Sequence, residues 1–154
     1  MSVLIYSLYK KENKIYTKYK IDKNTPIIEF SGTIFYGEKK YSENELLDLP
    51  KDKYLGPSGN LDDCIRHSCN PNTRIEIVNT RAFLYSIKTI KANEEITFDY
   101  STIIKSDNTF DCNCKNYNCR KVISNIKSFN KELLEKYKNQ KMIPTFILEH
   151  YERN

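Results

Sequence analysis

The sequence predicts a mostly β fold of the β+α class, built from short strands and ending in helices. Three observations predict it. Between Leu8 and Tyr100 the apolar residues come in short alternating runs rather than at helical spacing. Turn-forming residues punctuate those runs every few positions. After Arg120 the pattern changes to a period near 3.6.

The elements follow in order. Residues 3–9 alternate weakly and read as a strand. Lys14 to Lys20 alternate better, with Ile15, Thr17 and Tyr19 facing one way and Tyr16 and Lys18 the other. Ile21-Asp22-Lys23-Asn24 reads as a turn with Asn24 left-handed, since asparagine tolerates positive φ better than most residues. Pro26 to Phe30 is the next strand. Gly32 interrupts the pattern before Thr33 to Tyr36, which points to a bulge or to close approach of another segment. Ser42-Glu43-Asn44-Glu45 has the form of a capping box, opening a short helix through Leu47 that Pro50 stops. Ile75 to Val78 and Ala82 to Ile87 are strands joined by a tight turn, Asn93 repeats the role of Asn24, and Ile96 to Tyr100 is the last strand. In the tail, Asn130 is an N-cap with Phe129 and Leu134 as a hydrophobic staple, and Leu133, Leu134 and Tyr137 share a face. Pro144 opens a final helix with Phe146, Ile147 and Tyr151 inward.

The chain has 154 residues, enough for one domain with a proper core. Its apolar content of 39% and charged content of 29% are ordinary for a globular domain, and no apolar run is long enough to span a membrane. Met1 to Tyr6 is too short and too polar for a signal peptide, so an intracellular protein, nuclear or cytoplasmic, is expected. The five cysteines are then thiols or metal ligands rather than disulfides. The net charge of +5 is concentrated at the two ends, in Lys10, Lys11, Lys14, Lys18, Lys20 and Lys23, and again in Lys121, Lys127, Lys131, Lys136, Lys138 and Lys141. Such runs are solvated faces or a surface for nucleic acid.

Cys112, Cys114 and Cys119 place three soft ligands within eight residues, which suits a tetrahedral structural zinc. The fourth ligand must come from elsewhere, and Cys64 and Cys69 are the candidates.

Three stretches carry the functional signal: Cys64 to Asn72 (C-I-R-H-S-C-N-P-N), Glu94 to Tyr100 (E-E-I-T-F-D-Y), and the cysteines that end in Cys119-Arg120. In this order they resemble the SET-domain lysine methyltransferases with a post-SET zinc segment, over roughly residues 13 to 121. The resemblance implies a β-clip fold of small sheets with a knot-like crossing. It divides the chain into a SET domain (1–105), a post-SET segment (106–122) and a C-terminal helical extension (123–154). It implies a protein-lysine N-methyltransferase using S-adenosylmethionine, with Tyr100 as the catalytic tyrosine, Phe98 setting how many methyl groups fit, and Phe30 lining the lysine channel. A phenylalanine at position 98 implies di- or trimethylation. Cofactor contacts fall to Arg66, His67, Lys14, Tyr16 and Tyr100, and zinc to Cys69, Cys112, Cys114 and Cys119. Cys64 is then a small buried apolar residue, and Asn72 braces the crossing. The implied partner is a lysine-bearing tail, a histone for instance, with nucleic acid only indirectly involved and the chain a monomer or homodimer.

Two positions depart from the family pattern. Arg66 stands where the family has asparagine, and Glu12-Asn13-Lys14 stands where it has Gly-x-Gly. Arg66 can pair with the cofactor carboxylate or oppose its ammonium. A catalytically inactive protein- or peptide-binding SET-like domain is the alternative reading, and a zinc-stabilised nucleic-acid binder a third.

Overall fold

The computed structural model describes residues 7–42 and 45–153. Strand β1 (Leu8–Lys11) and strand β2 (Lys14–Thr17) form an antiparallel hairpin, with Lys11 opposite Lys14. Its two loop residues, Glu12 (φ 52°) and Asn13 (φ 57°), are both left-handed, the requirement of a tight hairpin whose twist matches its strands. Ile15 and Thr17 are fully buried. Tyr19 is 67% exposed, because the strand ends at Thr17 and its alternation goes no further.

Strands β3 (Pro26–Phe30), β8 (Thr73–Val78) and β9 (Arg81–Ser86) make a three-stranded sheet in the order β3-β9-β8. A second sheet, β4-β6-β5, joins β4 (Ile34–Tyr36), β6 (Lys53–Leu55) and β5 (Leu47–Leu49). The expected short helix does not reach Leu47: Glu45 lies in a 3-10 turn with its N–H on Ser42 O at 2.9 Å, and strand begins at Leu47. Glu45 does accept the Ser42 N–H, at 3.2 Å, but Leu46, Leu47 and Leu49 are all buried, and tertiary packing overrides the cap. Glu43 and Asn44 of that expected box, and the first residues of the expected strand 3–9, lie outside the described residues.

Gly32 marks a close approach, as its position predicts. A Cβ there would lie 1.7 Å from the Gly56 carbonyl oxygen, and Gly56 N–H donates to Thr33 O at 2.9 Å. Asn24 (φ 62°) and Asn93 (φ 63°) are left-handed as expected.

The crossing at the centre consists of β7 (Arg66–His67) running parallel to β10 (Thr97–Phe98), with Arg66 opposite Thr97 and His67 opposite Phe98. Asn72 locks it from inside. Its side-chain amide donates to Glu95 O at 2.7 Å, and its oxygen accepts Thr97 N–H at 3.0 Å. The expected strand Ile96–Tyr100 is cut short at Phe98. A 3-10 turn, Tyr100–Ile103, follows, capped by Asp99, whose side chain accepts Ser101 N–H at 3.0 Å.

The C-terminal part carries hairpin β11 (Phe110–Asp111) with β12 (Val122–Ile123), then helices α1 (Lys131–Asn139) and α2 (Thr145–Glu152). Asn130 caps α1 through Leu133 N–H at 2.8 Å. Phe129, Tyr137, Met142 and Ile147 are buried together. Tyr151 O–H donates to the carbonyls of Ile104 and Lys105, each at 3.0 Å, and ties α2 to the turn after Tyr100. No described helix is long and apolar enough to cross a membrane.

Candidate active site and cysteine centre

A cavity of about 190 Å³ opens beside the central crossing. Phe30 at the end of β3, Phe98 in β10 and Tyr100 in the 3-10 turn all line it. Phe30 meets Phe98 edge-on at 5.8 Å between ring centroids, and Phe98 meets Tyr100 at 4.7 Å. Such contacts fix ring orientation as well as burying area. Leu47, Leu55, Ile65, Ile103 and Ile104 complete an apolar wall.

Three carboxylates also line the cavity: Glu45, Asp62 and Asp63. Asp62 is buried and takes Ser31 N–H at 3.0 Å and Ser58 O–H at 2.7 Å. Asp63 takes the N–H groups of Ser58 and Gly59 at 2.9 and 2.7 Å. All these donors are neutral, and among the described residues no lysine or arginine lines the cavity. The wall is thus apolar with uncompensated negative charge, a setting that attracts a cationic side chain.

The Tyr100 hydroxyl donates to Ile65 O at 2.6 Å. Burial pushes its pKa up to about 12, although Arg66 nearby pulls the other way. The hydroxyl therefore stays protonated with its proton committed, and its lone pairs remain available. Tyr100 N–H donates to His67 Nδ1 at 3.1 Å. Burial drives the His67 pKa down to about 4, with Asp99 opposing in part, so the ring is neutral. Because Nδ1 accepts, the proton sits on Nε2, which faces Cys69 Sγ at 3.3 Å. The 3.5 Å approach of His67 Nδ1 to Asp99 is accordingly not an ion pair.

Cys69 belongs to a cluster with Cys112, Cys114 and Cys119, whose sulfurs all lie within 4.8 Å of one another. Cys112 Sγ is 3.7 Å from both Cys69 Sγ and Cys119 Sγ. A tetrahedral zinc with bonds of about 2.3 Å sets sulfur–sulfur edges of about 3.8 Å. The donor set and its spacing fit that metal. Burial raises the Cys69 and Cys112 thiols. Burial also opposes the Cys114 thiolate, but the N–H groups of Asn116 and Cys69 outweigh it and bring Cys114 to about 6. Backbone N–H groups of Arg120 and Lys121 point at Cys69 Sγ and Cys119 Sγ, each at 3.4 Å. Cys64 stands apart from the cluster, half-buried against the main core rather than fully buried.

Asp99 is a hub that sequence reasoning left without a role. It is buried and accepts Arg120 Nη2 at 2.8 Å, Ser101 N–H at 3.0 Å and Tyr137 O–H at 2.8 Å. Burial works against the Arg120 charge, but Asp99 outweighs it and keeps the guanidinium protonated. Its plane also lies over Phe129, at 4.9 Å. The only sequence signal was the pairing of an acidic residue inside one motif with a basic residue closing another.

Of the expected cofactor residues, Arg66 is exposed in β7, and His67 is half-buried with its ring turned inward. Lys14 and Tyr16 are half-buried in β2. Tyr16 stacks on Tyr9 at 5.5 Å and bridges to Glu95, two residues before Thr97, the partner of Arg66. Tyr16 and Arg66 therefore flank one short segment, 95–97, with His67 beside it against Phe98, whereas Lys14 pairs with Lys11 in the hairpin and the Tyr100 group faces the cavity.

The family model for the SET domain matches residues 13–101, more than half of the chain. The chain is 33% identical over 124 residues to the histone-lysine N-methyltransferase trr of Drosophila melanogaster, covering 70% of this chain and 5% of that protein. It is 28% identical over 117 residues to the histone-lysine N-methyltransferase SUV39H2 of Gallus gallus, covering 62% of this chain and 29% of that protein. It thus spans less than a third of the length of either relative. Among solved structures, KRYPTONITE in complex with mCHH DNA, an H3(1-15) peptide and SAH shares its fold, with a TM-score of 0.61 and 18% identity over 75% of this chain and 29% of that one. The central crossing, the arrangement of small sheets and the family match over residues 13–101 lead to one conclusion: the chain belongs to the SET domain family.

Proposed function

We propose that the protein is an S-adenosylmethionine-dependent protein-lysine N-methyltransferase acting on a histone tail in the nucleus. The observation that carries this reading is the cavity lined by Phe30, Phe98 and Tyr100, with carboxylates and, among the described residues, no cation on its wall. The relatives named as histone-lysine N-methyltransferases support it.

The residues divide the work. Asp62, Asp63 and Glu45 draw in the lysine ammonium. The apolar wall desolvates the amine, which lowers its pKa and favours the neutral nucleophile. Phe30 and Phe98 hold the alkyl chain straight and exclude water. Tyr100, with its proton held by Ile65 O, turns oxygen lone pairs toward the reacting nitrogen. The cofactor, when bound, supplies an electrophilic methyl group on a sulfonium.

Arg66, His67, Lys14 and Tyr16 are the residues that would hold the cofactor. The left-handed Glu12-Asn13 turn gives the backbone there the conformation glycine would otherwise supply, which fits a close approach. Cys69, Cys112, Cys114 and Cys119 hold one structural zinc.

The test is a radiolabelled transfer assay on core histones, with the product read by mass spectrometry. Wild type is expected to label lysine, with di- or trimethyl product. Tyr100→Phe keeps the ring and loses the hydroxyl, and is expected to be slower by about a hundred- to thousand-fold. Wild-type protein that binds S-adenosylmethionine yet labels no basic substrate would instead support the peptide-binding reading.

A further inference from the structure

The basic residues at the two ends of the chain are far apart in sequence, but part of each group meets in one place. A groove of about 950 Å³ runs between β8, the turn joining β5 to β6, and the start of α2, and it is lined by Lys51, Lys53, Arg74, Lys138 and Lys141. A second cleft continues from it past Arg74 and Lys141 to Lys23. Six basic side chains face two acidic ones, Glu76 and Glu149, along this surface. Arg74 is held by Glu76 at 2.8 Å and lies over the Tyr85 ring at 5.0 Å. Lys23, Lys51, Lys53, Lys138 and Lys141 have no carboxylate partner among the described residues.

We propose that this groove is a docking surface for the phosphate backbone of duplex DNA. Its charged rim is cationic, six basic side chains against two acidic ones. Lys51, Lys138, Asn139, Gln140 and Lys141 are exposed at its rim, and of the apolar residues in its lining Ile75 and Ile143 are buried while Ile77, Phe146 and Leu148 are half-buried. Single strands are gripped by stacking bases on exposed aromatic rings. Among the described residues the exposed rings are Tyr19, Tyr36, Tyr41 and Tyr117; none lines the groove, and Tyr36 alone lies beside it, its ring 5.2 Å from Lys53 Nζ, which is one ring where a stacked strand needs several. Lysines carried on three separate segments, at 23, 51–53 and 138–141, suit an extended ladder of phosphates instead. The proposal stands independently of the transferase reading, because its test involves no methyl transfer.

The test is fluorescence anisotropy of the full chain with a labelled random-sequence 20-base-pair duplex, titrated across salt concentrations. With four or five phosphates neutralised, log K is expected to fall against log salt with a slope of about −4. The double variant Lys138→Gln/Lys141→Gln is expected to flatten that slope by about 2 units and to lose at least about tenfold in affinity at 0.1 M salt. Lys10→Gln/Lys11→Gln removes the same charge from hairpin β1–β2, outside the groove, and is expected to change affinity less than threefold. Equal losses in the two double variants would overturn the proposal in favour of diffuse attraction. So would a single strand or a polyglutamate chain that binds more tightly than the duplex, or no binding at low salt.

Discussion

Arg66 bears on the reactive centre through charge rather than contact. It is exposed, has no carboxylate partner among the described residues, and lies near enough to favour the Tyr100 tyrosinate. A cation near that hydroxyl also opposes a sulfonium brought up to it. Arg66→Asn is therefore expected to tighten binding of S-adenosylmethionine about tenfold, since unit charges a few ångströms apart at an effective dielectric of 20 interact by a few kcal/mol before screening. The neutral product, S-adenosylhomocysteine, is expected to gain much less. Calorimetric titration with both ligands checks this: an equal gain for both would show that Arg66 opposes the shared ammonium instead, and a loss for both that it pairs with the shared carboxylate. At this scale the sequence was informative where a motif is contiguous. Phe98 and Tyr100 are two apart, and Phe30, from a distant strand, lines the same cavity. Asp99 lies between them and escaped notice, because its partners Arg120 and Tyr137 come from two later segments that only folding brings together.

Among the elements, hairpin β1–β2 shows how a departure from the family pattern is absorbed. Glu12 and Asn13 adopt the left-handed backbone that glycine takes without steric cost. The hairpin forms because Leu8 and Ile15 are buried and Thr17 N–H reaches Glu94 O at 3.2 Å, so packing outweighs the local cost. Replacing the loop by the preferred pair, Glu12→Asn with Asn13→Gly, is expected to stabilise the protein by about 1 kcal/mol. For a domain of this size that raises Tm by about 2–4 °C in a thermal melt. An unchanged or lower Tm would mean that the Glu12 side chain makes a compensating contact. Turn chemistry was legible in the same way at Asn24 and Asn93, where a single side chain decides. Strand β5 was not legible. Ser42 and Glu45 offered a helix start, and only the pairing of Leu47 with Leu55 across β6 made the strand win.

The whole molecule is held around its site by two ties between the central crossing and the C-terminal part. One is the Asp99 carboxylate with Arg120 and Tyr137. Tyr137→Phe leaves one buried oxygen short of a donor and is expected to cost about 1–2 kcal/mol in denaturant unfolding. Arg120→Ala strands a buried charge and is expected to cost about 3–5 kcal/mol. Similar small losses from both would mean that water replaces the guanidinium.

The other tie is the cysteine centre. Cys69 follows β7, whereas Cys112, Cys114 and Cys119 sit on or between β11 and β12, so a metal there closes a loop of more than forty residues. Three of the four clustered cysteines could be read from local spacing. The fourth could be chosen over Cys64 only through the resemblance, and the structure separates the two by leaving Cys64 against the main core. Elemental analysis is expected to give one zinc per chain, unchanged in Cys64→Ser and lost in Cys69→Ser. Because the free energy of metal binding adds to that of folding, chelation is expected to lower Tm by more than any single substitution above. It is also expected to expose residues 106–122 to protease before the rest of the chain. The physical reason is that, among the described residues, without a metal the stretch from Cys112 to Cys119 is held to the rest only by the hydrogen bonds of Asn116 to Ser68 and Asn118 to Cys69 O, and by Arg120 at its end. Full zinc retention in Cys69→Ser, with loss in Cys64→Ser, would move the fourth ligand to Cys64.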